Sequence, residues 1–152
     1  MLLGPHNKTE GLWGNMENLI RLRKLMNQKS IEGLAIVPGP NLSYLTDSEF
    51  HLSERPVILF VRQNDAIFVL PKLESPKIVD LDIDFISYDD RDGPGPAFAQ
   101  LSKDNKFSGL GVESRLIRHL ELDLISSYTI SSDIIDATDL FAELRMSKSK
   151  IE

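Results

Sequence analysis

Apolar positions open the ordered part of the chain at spacings of three and four. Met16, Leu19, Leu22 and Met26 fall in step, with Arg21, Arg23 and Lys24 between them. That spacing lines one face of a helix and predicts an amphipathic helix over residues 16–29, with Asn15 as its N-cap. Gly33 marks the exit. The pattern then changes to short unbroken apolar runs. Leu34–Val37, Val57–Val61 and Ala66–Leu70 each read as a strand covered on both faces. Gln63, Asn64 and Asp65 alone separate the second run from the third, so those two strands form an antiparallel hairpin. Residues 82–88 alternate and predict a strand nearer an edge.

Turn chemistry fills the gaps. Pro38, Gly39 and Pro40 end the first strand, and Asn41–Thr46 reads as a short helix. Residues 47–55 are polar and aperiodic, and read as a loop. A short helix is expected around Pro76. Gly93, Pro94, Gly95 and Pro96 break the chain, and Pro96 suits the first position of a helix running to Lys103. A strand follows over Phe107–Val112. Ser114 is expected to cap a helix carrying Leu116, Ile117, Leu120 and Leu124. The last strand is placed at Tyr128–Ile134, and Asp136 is expected to cap a terminal helix. The fold class is α/β: a mixed sheet of about six strands with one antiparallel hairpin and helices on both faces. Residues 1–14 read as a flexible leader, 15–136 as the domain, and 137–152 as a helix whose unfinished amphipathic pattern points toward a further domain.

Composition narrows the function. Net charge is −6, with acidic and basic residues interspersed, which argues against nucleic acid as the main partner. With no cysteine, thiolate metal sites and thiol nucleophiles are excluded. No apolar run approaches the ~18 residues of a membrane span. The reading is a cytoplasmic protein with no membrane partner.

Candidate chemistry is sparse. His6, His51 and His119 lie far apart in sequence, and no ligand motif is present, so no metal site and no catalytic residue are assigned within the chain. Asp80, Asp82 and Asp84 resemble the start of a calcium loop, but Phe85 and Arg91 stand where its glycine and glutamate belong. An exposed strand face fits them better. Asp89 and Asp90 follow a strand, as phospho-acceptor carboxylates do, but the companion residues are missing and a solvated turn is the better reading. Gly109 and Gly111 lack the third glycine of a dinucleotide fingerprint and read as a place of close backbone packing. The loop from Asp47 to Arg55 holds Glu49, Phe50, His51, Glu54 and Arg55. A polar loop on a rigid scaffold is a usual place for recognition groups. Arg55 is suited to gripping a carboxylate, and equally to pairing with Glu54 or Glu49.

Four stretches resemble the N-terminal domain of the Xaa-Pro peptidase and creatinase family, whose catalytic domain has the pita-bread fold. They are the helix leading into Gly33–Val37, the Pro40–Thr46 segment, the Glu54–Glu74 hairpin region, and Ala142–Glu152. Asp47 replaces the glycine usual after the second stretch, and Ser147 replaces an isoleucine in the fourth. The resemblance implies a parent Xaa-Pro dipeptidase or aminopeptidase. There, two divalent ions (manganese, zinc or cobalt) on two aspartates, a histidine and two glutamates activate water for metal-assisted hydrolysis of proline-containing peptides. All five ligands belong to the C-terminal catalytic domain, so this chain itself is expected to be non-catalytic and to need no cofactor. It also implies a homodimer in which the N-terminal domain leans over the partner subunit's active site. Phe50, His51 and Arg55 are the candidates for that contact in trans. Alternatives are the N-terminal domain of a creatinase-like amidinohydrolase, which needs no metal, and a non-enzymatic peptide- or protein-binding module of the same fold. A stand-alone nucleotide-binding domain is disfavoured by the lack of a phosphate loop.

Overall fold

In a computed structural model of the chain, residues 3–131 and 133–151 are described, with side chains over 16–131 and 133–146. In chain order the elements are α1 (Leu3–Gln28), β1 (Gly33–Ile36), α2 (Pro40–Thr46), β2 (Ile58–Arg62), β3 (Ala66–Pro71), a 3-10 turn (Lys72–Lys77), β4 (Asp84–Tyr88), α3 (Gly95–Asp104), β5 (Leu110–Val112), α4 (His119–Ser127), β6 (Ile134–Asp136) and α5 (Thr138–Ile151). The strands form one mixed sheet in the order β4-β3-β2-β1-β5-β6. β2 runs antiparallel to β1 and β3, while the β3–β4, β1–β5 and β5–β6 pairs are parallel. The hairpin and the edge position of β4 agree with the hydrophobic pattern.

Because strand side chains alternate, each unbroken apolar run supplies two cores. Leu34, Ile36, Leu59, Val61, Phe68 and Leu70 face α1, α2 and α5. Ala35, Val37, Ile58, Phe60 and Val69 face α3 and α4. Phe60 anchors the second layer, its ring 5.6 Å from Phe107 and 6.3 Å from Phe98. Polar clamps fix α1 over the sheet. The Arg23 guanidinium donates to the carbonyls of Arg62 (2.8 Å) and Asp65 (2.9 Å). Arg21 donates to the Tyr44 hydroxyl (2.8 Å) and to the Leu144 carbonyl (2.9 Å), joining α1, α2 and α5.

Local corrections have identifiable causes. α1 starts at Leu3, so the stretch expected as a flexible leader from residue 3 onward is helical and Asn15 is not a cap. Pro5 falls in the first turn, where its missing N–H costs nothing. Met1 and Leu2 lie outside the described residues. Ser114 does not cap α4. The chain turns over residues 114–117, with Leu116 and Ile117 donating to the Glu113 carbonyl, and the helix begins at His119. Fully buried Glu121 makes that start, its carboxylate accepting from the Arg118 backbone N–H at 2.8 Å. The last strand lies at Ile134–Asp136 rather than Tyr128–Ile134, because pairing with Leu110–Val112 sets its register. Tyr128 ends α4, and Thr129 reverses the chain at φ 50°. β5 is correspondingly shorter, Phe107 forming only an isolated bridge with Ser131.

Candidate functional site

Polar groups with few local explanations collect at one rim of the sheet, where the parallel strands end and β2 begins. Open α/β sheets place ligands beyond the carboxyl ends of their strands. At this rim β1 delivers α2, β3 delivers the 3-10 turn, β4 delivers Asp89 and Asp90, and β5 delivers Glu113. The loop over residues 47–55 crosses it.

The loop starts from a strained residue. Asp47 closes α2 at φ 55°, ψ 31°, its N–H donating to the Ser43 carbonyl at 2.7 Å. This is the left-handed conformation glycine favours, so Asp47 keeps the helix terminus that the family's glycine would make. The loop is then pinned. The Lys77 ammonium donates to the Glu49 carbonyl at 2.7 Å and lies 5.0 Å above the Phe50 ring. Phe50 is 8% exposed and packs 5.7 Å from Phe68. Its ring therefore serves as the loop's apolar anchor. His51 is exposed.

Arg55 closes the loop. Its Nε and Nη2 donate to the two carboxylate oxygens of Asp90 at 2.7 and 2.8 Å, a bidentate grip across 35 residues. Glu54 lies 3.5 Å from Nη1. The Arg55 hydrogen bonds hold the Asp90 carboxyl below its ordinary pKa, and the same bonds push the guanidinium further up. Beneath this pair, buried Tyr88 donates its hydroxyl to the Pro56 carbonyl at 2.6 Å. Burial raises the Tyr88 phenol pKa, so it stays a neutral donor. Farther along the rim, buried Asn41 donates to the Glu113 carboxylate at 2.6 Å, while its own Oδ1 has no partner.

Of the three loop candidates, the structure brings His51 and Arg55 to the rim and turns the Phe50 ring inward. Sequence reasoning missed Lys77, Tyr88 and Glu113. Asp90, which the sequence reads as part of a solvated turn, has Arg55 as its partner. Nothing local marks these residues, since each acts on a partner more than 25 positions away. Among the described residues no three His, Cys, Asp or Glu side chains converge as metal ligands. The rim can grip and orient a polar ligand, but it pairs no nucleophile with a base. His6 lies outside the residues whose side chains are described.

The fold matches known proteins. The model of the creatinase/prolidase N-terminal domain matches residues 19–147, and the chain belongs to that family. A dipeptidase from Mycobacterium ulcerans superposes with a TM-score of 0.72 at 23% identity, over 89% of this chain and 37% of that one. A dipeptidase from Pyrococcus horikoshii gives 0.72 at 25% identity, over 85% and 36%. The N-terminal domain of an X-Pro dipeptidase from Streptococcus pyogenes gives 0.72 at 19% identity, over 82% and 96%. The chain thus spans little more than a third of the two dipeptidases and nearly the whole of the separately solved domain. No curated protein matches the chain. Among the described residues no helix is long and apolar enough to cross a membrane.

Proposed function

We propose that this chain is the non-catalytic N-terminal domain of a metal-dependent Xaa-Pro dipeptidase or aminopeptidase. In this reading it builds the homodimer and shapes the partner subunit's active site. The observation that carries the reading is coverage: one domain model takes in residues 19–147, whereas the matched dipeptidases extend far beyond the shared part. Two divalent ions supply the hydrolytic chemistry in such a parent. The residues here do not fit that group, because no three potential ligands converge among the described side chains.

What the domain contributes is position. Phe50 buries the middle of the 47–55 loop, and Lys77 and Asp90 hold its two ends. A loop so braced presents His51 and Arg55 at fixed places, and placement is what a contact to another subunit's substrate requires.

The test joins this chain to its downstream catalytic segment and follows Ala-Pro hydrolysis. Arg55→Ala is expected to raise KM roughly tenfold with a smaller change in kcat, as loss of a charge-assisted substrate contact does. Mixing Arg55→Ala protomers with protomers lacking a metal ligand should restore a low KM, because the second protomer lends its Arg55 to the first one's site. An unchanged KM removes Arg55 from the site. A raised KM that mixing does not restore places the contact in cis.

A further inference from the structure

The strand order leaves β4 paired on one side only, by β3. An unpaired strand edge offers a row of backbone donors and acceptors to another chain. Here the edge is bordered by a hollow on each face. On the α1 side, a cavity of about 260 Å³ lies among Met16, Ile20, Leu81 and Ile83, with Arg23 and Asn64 also in its wall. On the α3 side, a largely polar cavity of about 170 Å³ lies among Ile86, Ala97, Gln100, Asp89, Asp92 and Lys72. Phe85 of the strand is 40% exposed, and Met16 and Ile20 beside the first hollow are 41% and 49% exposed. A strand added along β4 sends alternate side chains to the two faces, and so into these two hollows.

Charge selects the occupant. Residues 80–92 hold six aspartates and one arginine, and Asp90 among them is already paired with Arg55 of the 47–55 loop. Asp82 and Asp84 are exposed at the start of the strand, and Asp89 and Asp92 are exposed beyond its end. A second copy laid β4 against β4 would set this acidic row against itself, and like charges across a strand pair repel. A cationic segment meets no such barrier. We propose that the free edge of β4 takes up an extended, positively charged segment of a partner protein as a seventh strand. Backbone hydrogen bonds hold the segment; its apolar side chains, all on one face, meet the hollow beside Met16 and Ile20, and its lysines or arginines, all on the other face, meet Asp84, Asp89 and Asp92 on the α3 side.

A labelled peptide of about ten residues, alternating valine and lysine, is long enough to run the length of β4. Its binding is read by fluorescence anisotropy. Two controls accompany it: a valine–glutamate peptide, and the lysine peptide with two central valines replaced by proline. The lysine peptide should bind at least roughly tenfold tighter than either, and weaken with salt. Amide hydrogen exchange should slow at residues 84–88. Reversing two exposed charges, Asp82→Lys with Asp84→Lys, should shift the preference to the glutamate peptide while circular dichroism stays unchanged. Equal binding of the peptides, binding indifferent to the charge reversal, or protection elsewhere would overturn the proposal. So would protection of 84–88 that appears without peptide and grows with protein concentration, since a second copy then covers the edge. The assay involves no turnover, so its outcome is independent of the peptidase reading.

Discussion

Two single residues show how backbone constraint is distributed. Asp47 holds a left-handed conformation that costs a non-glycine residue on the order of 1 kcal/mol. Its side chain is exposed, so little is lost by removing it. Asp47→Gly should stabilise the domain by about 0.5 to 1 kcal/mol in chemical denaturation. Gly111 presents the opposite case. A Cβ there would stand 2.8 Å from Leu34 Cδ2 and 3.0 Å from the Ala137 Cβ, so β5 approaches its neighbours as closely as backbone permits. Gly111→Ala should destabilise by about 1 to 3 kcal/mol, the usual cost of overpacking. The sequence signalled both positions, one as a departure from the family glycine and the other as one of two strand glycines, Gly109 and Gly111, that mark close packing. Asn41 gave no such signal, because its partner Glu113 lies 72 residues on.

At the scale of elements, the 47–55 loop is held by one buried ring and two cations. Its dependence on pH follows from Asp90, whose folded pKa is depressed by the Arg55 hydrogen bonds against an opposing effect of desolvation. A depressed carboxyl contributes stability above its unfolded pKa of about 3.9, and loses it as pH falls through the lower folded value. The Arg55 end of the loop should therefore stay closed at pH 5 and open only at acidity below the ordinary carboxylate range. Protection of the 53–55 amides, relative to their intrinsic exchange at each pH, should fall across that acid range. In Asp90→Asn the same amides should exchange faster at neutral pH and show no acid step. Tyr88 supports the same loop end from below. Tyr88→Phe removes a buried hydroxyl and strands the Pro56 carbonyl, so it should cost about 1 to 2 kcal/mol in denaturant titrations. The pattern predicted the loop's boundaries closely, because the stretch between Thr46 and Pro56 is mostly polar and its Phe50 and Leu52 make no helical or strand-length period. Its bracing was invisible, since Lys77 and Asp90 belong to later elements.

For the molecule as a whole, one sheet carries two cores and all the polar groups of the rim. Both faces share the same strands, so loss of either core removes the platform of the other. Among the described residues the rim holds no convergent metal-ligand set. Incubated with manganese and Ala-Pro, the isolated chain should release no proline above the protein-free rate. Measurable, protein-dependent release would assign a reactive centre to this domain and overturn the proposed division of labour.

By itself, the chain's hydrophobic order determined the α/β class, the hairpin of β2 and β3, the edge position of β4 and the two-sided burial of the central strands. These follow from local periodicity and from loops too short to permit another geometry. Tertiary structure alone decided that Phe50 turns inward, that Arg55 closes on Asp90, and that Glu121 rather than Ser114 starts α4. It also decided where β5 and β6 pair. In most of these cases the energy lies in contacts between residues far apart in sequence, and in the register that the whole sheet imposes, neither of which a local pattern encodes.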